Sequence, residues 1–424
     1  MKLISFEKKL SLFGATCVTV GAVIGVGIFV IVGEIGGMAG SWTSLAFMFA
    51  AVGVVFGTLV SIALGTSIPA DGGGFYYTKI LLGEKTGVVA SWLIVFGALG
   101  SMAVVSLGVA DYIMYYIPDM PSHLRPVVAI GLVLVTWGFN TMGIMTSEKL
   151  QIGMVVQLAT ALIGLVVVAM IYGKAPDFSA NAPASSGLML SATVMAMLSY
   201  TGFNIIGELG DEVENPRRNI PLTIMIGLGI IVFIYVGVGW VVSGNLVTAE
   251  AMGKSKAALL DTALIFTGSK HNLFMWYLDL AAVLAAVTSI NAVFLAVPRE
   301  FSAQAEAGFL PKWIMKYDPK RQTFPAGMAV VAAAGILICI PNLKLGTYGY
   351  ASVAGLLLAN AIFSFGALRL FKVAPDKVAS APIRIRGWWL YPSAAISTVL
   401  SIGFGLMAAQ GVIKSLVDQF GGGH

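Results

Sequence analysis

Two apolar stretches of this chain carry residues that do not suit an uninterrupted helix. Residues 19–33 read TVGAVIGVGIFVIVG, with Gly21, Gly25 and Gly27 inside seven positions. Residues 197–210 read MLSYTGFNIIGELG, where Ser199, Thr201 and Gly202 interrupt the apolar run at a similar depth. Glycine in a helix costs about 1 kcal/mol against alanine, so clustered glycines beside hydroxyl residues point to backbone that leaves the helix. Unwound backbone can bind. The free N–H groups and positive dipole end of the half-helix that follows suit an anion such as a carboxylate, and freed carbonyls suit a cation. A third group, Thr288 and Ser289, sets two hydroxyls side by side in another apolar run. With carbonyls freed at the first break they could cage a hard cation. Each feature alone also reads as tight helix packing, or as hydroxyls bonded back to their own helix. The recurrence of the break five apolar runs later favours a functional pair.

Such breaks need a particular setting. Lipid-facing unpaired backbone would be stranded in hydrocarbon, so unwound segments persist only within protein or against a watery cavity. The composition supplies that setting. Of 424 residues, 58% are hydrophobic and 11% charged, against about 25% charged in a soluble domain. Too few polar side chains exist to coat a compact soluble fold, so the lipid bilayer is the expected surrounding. A spanning helix needs about 20 apolar residues. Eleven runs meet or approach that length, near 11–33, 41–66, 87–117, 124–143, 149–173, 187–209, 220–245, 272–300, 325–342, 347–371 and 389–414. The ninth is the shortest. With the N-terminus inside, 18 of the 25 Lys and Arg residues fall in inner segments and 7 in outer ones. That bias predicts a cytoplasmic N-terminus and an opposite C-terminus.

The same features exclude other classes. The net charge of +5 resides in short loops between apolar runs, so no nucleic-acid surface is expected. Cysteine spacing of the zinc-binding kind is absent, since the two cysteines, Cys17 and Cys339, stand far apart and within apolar runs. GGGF at 72–75 lacks the strand and the lysine of a phosphate loop. DEVENPRR invites an enzyme reading through its carboxylates, but it stands between two spans with Pro216 and Pro221. It fits a turn in which Asp211, Glu212 and Glu214 pair with Arg217, Arg218 or the Arg299–Glu300 segment as an inner gate. No nucleophile, base and metal set is assembled, and no cofactor is expected. A channel would need a sustained polar stripe, which no run has. The basic, aromatic KWIMKYDPKR of 312–321 suits an interfacial helix.

Four motifs in order resemble the amino acid–polyamine–organocation (APC) superfamily of transporters: GAVIGVGIF in the first span, IPADGGGFYY at 68–77, GDEVENPRRNIP at 210–221, and SINAVFLAVPREFSAQAEAGFLP at 289–311. The resemblance covers roughly residues 10–371. It implies an all-α membrane protein with a five-plus-five inverted repeat. Residues 1–10 would be a cytoplasmic N-terminus, 11–173 the first repeat and 187–371 the second. Residues 389–414 would be an eleventh helix and 415–424 a tail, where the family usually has twelve helices. The expected activity is alternating-access transport at the cell membrane, and oligomeric state stays open.

Carried onto this sequence, the resemblance implies a substrate site in spans 1 and 6. Val26 and Gly27, beside Gly25, would offer amides to a substrate carboxylate. Carbonyls near Ala22, Leu198 and Ser199 would accept from its ammonium. Tyr200, Thr201 and Gly202 would line the pocket, with Phe203 as a lid or wall. No charged side chain falls within either break, so a polyamine would lack a counter-ion. A small neutral amino acid is expected; another amine or a nucleobase is the alternative. Proton-coupled members carry a lysine on helix 5, and here Leu158 stands at that position. By resemblance to sodium-coupled relatives, a sodium ion would take the carbonyls of Gly21, Ile24 and Ala285 and the hydroxyls of Thr288 and Ser289. Proton coupling or exchange are the alternatives. Among the acids, Glu34, Asp111 and Glu208 stand near interfaces, where water would solvate them. Asp279, two turns inside its span, would instead need a partner.

Overall fold

A computed structural model describes residues 11–68, 73–117, 120–142, 148–202, 213–319, 321, 323–381 and 383–420. Among these, the regular structure is helical, apart from a single antiparallel bridge between Asp318 and Thr323. The elements are α1 (Leu12–Val23), α2 (Val26–Val30), α3 (Val32–Ala39), α4 (Thr43–Ser67), α5 (Gly73–Leu82), α6 (Glu84–Met114), α7 (Arg125–Thr141), α8 (Glu148–Tyr172) and α9 (Ser186–Ser199). After these come α10 (Pro216–Asn245), α11 (Ala249–Lys254), α12 (Ala258–Thr267), α13 (Leu273–Glu306), α14 (Pro325–Cys339), α15 (Leu345–Ala367), α16 (Leu370–Val373), α17 (Pro375–Ser380) and α18 (Gly387–Phe420).

Helix starts follow the local chemistry of the sequence. Ser11, Ser185 and Asn272 cap α1, α9 and α13 by accepting from the amides of Gly14, Leu188 and Phe274, which satisfies donors that a helix N-terminus leaves free. Proline occupies the first turn of α7, α10 and α14, where its missing N–H costs nothing.

Among the described residues, seven helical stretches are long and apolar enough to cross a membrane: Val32–Ser67, Glu84–Met114, Ile152–Tyr172, Arg218–Asn245, Leu273–Glu306, Leu345–Ala367 and Gly387–Phe420. The first of these turns at Gly40, whose φ of 57° a side chain would strain. The other apolar runs appear as shorter helices, α1, α7, α9 and α14. The 312–321 segment departs from expectation. Only Lys312–Met315 forms a helical turn, of 3₁₀ type, because Pro311 and Pro319 close off a longer helix on either side.

The core joins α1 and α2 to α6, α9, α10 and α13, with a second cluster among α4, α5, α15 and α18. Small residues set the closest contact. A Cβ at Gly97 on α6 would stand 2.7 Å from Leu356 of α15, and one at Gly355 would stand 2.7 Å from the Leu93 carbonyl. The two backbones can approach because side chains are absent there, and Ser352 donates its hydroxyl to the Gly97 carbonyl at 2.7 Å.

Candidate functional site

The first break falls where the glycines predict it. α1 stops at Val23. Ile24 leaves helical geometry at ψ 76° and Gly25 is extended at φ −104°, ψ −159°. A tight turn from the Gly25 amide to the Val23 carbonyl, 2.7 Å, joins the halves. α2 then begins at Val26, with no side chain capping its first amides. The second break begins where α9 ends at Ser199. Tyr200 is its C-cap, and Gly202 adopts φ 120°, a conformation open mainly to glycine. Phe203 and Glu208 lie outside the described residues, as do Asp211 and Glu212.

The breaks touch each other. A Cβ at Gly27 would stand 2.5 Å from the Ser199 Cα and 2.7 Å from its Oγ. α13 closes the third side: a Cβ at Gly25 would stand 2.3 Å from the Ser289 Oγ. α8 closes the fourth, with Val155 against Gly21 and Leu158 fully buried. Spans 1, 6 and 8 therefore meet at Gly27–Ser199 and Gly25–Ser289.

A residue that sequence reasoning missed joins the two halves. The Tyr235 hydroxyl of α10 lies 2.8 Å from the Val23 carbonyl and 2.9 Å from the Ser199 carbonyl. Its ring is fully buried and packs edge-on against Tyr200 at 5.0 Å. Tyr200 in turn donates to the Phe47 carbonyl of α4 at 3.0 Å. The signal was present in the sequence: Tyr235 is the polar side chain in the middle of IIVFIYVGVG, and a buried tyrosine must place its hydroxyl.

The carbonyls expected to receive an ammonium are not equally free. Leu198 accepts from both the amide and the hydroxyl of Thr201, at 3.2 and 2.8 Å, which fills the two lone pairs of a carbonyl. Among the described residues, the donor to the Ser199 carbonyl is Tyr235. Ala22 is next to last in α1, within the turn whose carbonyls lack helical partners. The Ser199 hydroxyl is buried and unpartnered, so a hydrogen-bonding group is held ready at the gap.

On α13, Thr288 donates to its own Ala285 carbonyl at 2.9 Å. The bond keeps two of the expected cation ligands adjacent and leaves the hydroxyl's lone pairs as acceptors. A cavity of about 240 Å³ reaches Tyr200, Thr201 and Gly202 and runs between α4, α13 and α15 towards Glu300 and α5.

Two acids have partners that the sequence did not suggest. Asp111 is not solvated: its side chain is 4% exposed and pairs with Arg125 at 2.8 Å. The α7 N-terminus brings that guanidinium over it, and Arg125 also donates to Asn342. Glu300, in the segment expected to take part in the inner gate, turns to the start of α5, while the gate's Asp211 and Glu212 lie outside the described residues. Glu300 is buried, and its carboxylate accepts from the amides of Gly74 and Phe75 at 2.9 and 3.2 Å and from Ser91 at 2.6 Å. It thus satisfies free donors at the start of α5. Glu34 accepts from the Gly346 amide at 2.9 Å.

Comparison with known proteins follows the same line. The family profile for amino acid permeases matches residues 10–419. An uncharacterized transporter of Mycobacterium tuberculosis is 29% identical over 367 residues, 86% of this chain and 80% of the relative. The branched-chain amino acid permease of Bacillus subtilis is 25% identical over 336 residues, 75% of this chain and 71% of the relative. The methylthioribose transporter of the same organism is 24% identical over 398 residues, 89% of this chain and 84% of the relative.

Proposed function

This chain belongs to the amino acid permease family, within the APC superfamily, and from that premise we propose that it carries a small neutral amino acid into the cell by alternating access, coupled to sodium. It is a multi-pass membrane transporter and not an enzyme. The finer reading rests above all on the meeting of Gly27 with Ser199, which brings both breaks to one point.

In this reading the substrate carboxylate takes the amides of Val26 and Gly27 at the start of α2, where the helix dipole favours negative charge. The ammonium takes the carbonyls of Ala22 and Ser199, with the Ser199 hydroxyl as a further partner. The side chain points towards Tyr200 and Thr201, with Phe203 as its lid. No charged side chain lies within the breaks, which favours a net-neutral substrate, and the Bacillus relative named as a branched-chain amino acid permease agrees with an apolar one. The five-plus-five division at 11–173 and 187–371 places one break in the opening helix of each repeat. The N-terminus is cytoplasmic and the membrane is the plasma membrane, as the basic-residue bias suggests.

Counterflow exchange in proteoliposomes tests the substrate. Unlabelled neutral amino acids compete with label, while their decarboxylated amines, which cannot use the α2 amides, compete at least about ten-fold less well. Equal competition by the amines would remove the carboxylate site.

Sodium would be held by the carbonyls of Gly21, Ile24 and Ala285 with Thr288 and Ser289. Bound there, it would join α1 to α13 beside the break and so link its gradient to the substrate's. In the double substitution Thr288→Ala/Ser289→Ala, sodium-driven accumulation should fall to the level seen with potassium, while exchange at equal sodium persists. Full retention of sodium-driven uptake would exclude these ligands.

A further inference from the structure

The site leaves one buried acid unused. Asp279 is the seventh residue of α13, about 9 Å along the helix from Leu273 at 1.5 Å per residue. It is 9% exposed, and its Oδ1 has no hydrogen-bond partner. Among the described residues, no ion pair includes it. The Tyr116 hydroxyl is likewise buried without a partner, and its ring stacks on Trp276 at 4.4 Å. Trp276 stands three residues before Asp279, one turn away on the same face of α13, so the stacked pair lies beside the acid.

The ionisable groups on the surrounding elements are committed elsewhere or distant. Tyr112 on α6 donates to the Phe29 carbonyl of α2 at 2.7 Å. Asp111 on α6 and Arg125 on α7 pair with each other. Asp261 on α12 accepts from Tyr115 and Ser255. Lys270 lies over the Tyr115 ring at 4.4 Å, and Tyr277 meets Thr160 of α8. By sequence, α2 has no ionisable residue, α1 and α14 have only Cys17 and Cys339, and those of α8 stand at its ends. Arg299, Glu300 and the ionisable residues of α5 belong to the other end of α13. Among the described residues, no cation pairs with Asp279. Burial without a partner penalises the ionised form, which makes this acid readier than an exposed one to take up a proton.

We propose that Asp279 is a proton-binding carboxyl that gives its proton to external water when the Tyr116–Trp276 cover moves aside and regains one before the cover returns. Only the carboxyl O–H bond breaks and re-forms. The site is separate from the sodium ligands, since Ala285, the nearest of them on α13, stands six residues, or about 9 Å, further along. It makes transport pH-dependent whatever the sodium gradient. The inference rests on the transporter reading for its readout and on the orientation given above.

The test uses the full chain in proteoliposomes, with uptake of a labelled neutral amino acid mixture followed against external pH. Wild-type uptake should change with pH by up to about ten-fold per unit, the limit for one proton. Asp279→Asn, which mimics the protonated acid, should flatten that profile and keep counterflow exchange. A profile in Asp279→Asn that coincides with wild type, or a flat wild-type profile, overturns the proposal. Absent exchange in wild type would instead refute the substrate assignment. Should Asp279→Asn fail to fold, Asp279→Glu decides: a displaced midpoint supports the site, and an unmoved one overturns it.

Discussion

Gly27→Ala should lower amino acid uptake by at least about ten-fold, the effect of roughly 1.4 kcal/mol on a rate-limiting barrier, without preventing membrane insertion. The added methyl would stand 2.5 Å from the Ser199 Cα. That neighbour is backbone rather than the end of a flexible side chain, so α2 and the end of α9 must separate. Overpacking of this kind costs about 1–3 kcal/mol, and here the displaced atoms are those proposed to hold the substrate. The control is Gly131→Ala on α7, where a Cβ meets nothing within 4 Å. Uptake by that variant should match wild type. Normal uptake by Gly27→Ala would show that the contact between the breaks does not matter to transport.

Tyr235→Phe should have the second largest effect, and of a different kind. The ring remains, so the contacts with Tyr200 and Phe47 are kept. The hydroxyl that bridges the Val23 and Ser199 carbonyls is lost. Val23 retains the Gly25 amide, whereas Ser199 loses its donor, and an unsatisfied buried acceptor costs about 1–3 kcal/mol. Maximal exchange rate should fall roughly ten-fold, because the hydroxyl ties together halves that must hold one geometry while substrate is bound. The apparent affinity should change less, since the α2 amides are untouched. Kinetic measurement of both parameters separates this outcome from general destabilisation. A Tyr235→Phe variant with wild-type kinetics would reduce the bridge to packing.

Much of this arrangement was legible in the residues, and the reason is physical. Glycines at 21, 25 and 27 and the Ser199–Gly202 segment announced both breaks because few other sequences tolerate non-helical backbone there. Apolar length located the long helices, while α7 and α14 fell short of the span length that their runs suggested. What stayed hidden depends on three-dimensional partners. Nothing in the local sequence of Asp111 says that Arg125 will cover it, and nothing near Glu300 says that it will cap α5 from 225 or more positions away. Tyr235 carried a readable cue, a lone hydroxyl in an apolar run, but its two acceptors come from spans far away in the chain. The competition among carbonyls, with Leu198 filled by Thr201, is a matter of local angles that sequence pattern does not encode.

The central claim is that paired breaks bind an amino acid and an ion gradient moves it. It is tested most directly by uptake of labelled neutral amino acids into proteoliposomes under an inward sodium gradient, with potassium substituted as the comparison. The account predicts accumulation above the equilibrium level with sodium and only equilibration with potassium. Equal accumulation in the two salts would contradict sodium coupling, and no amino acid uptake or exchange in either would contradict the substrate assignment itself.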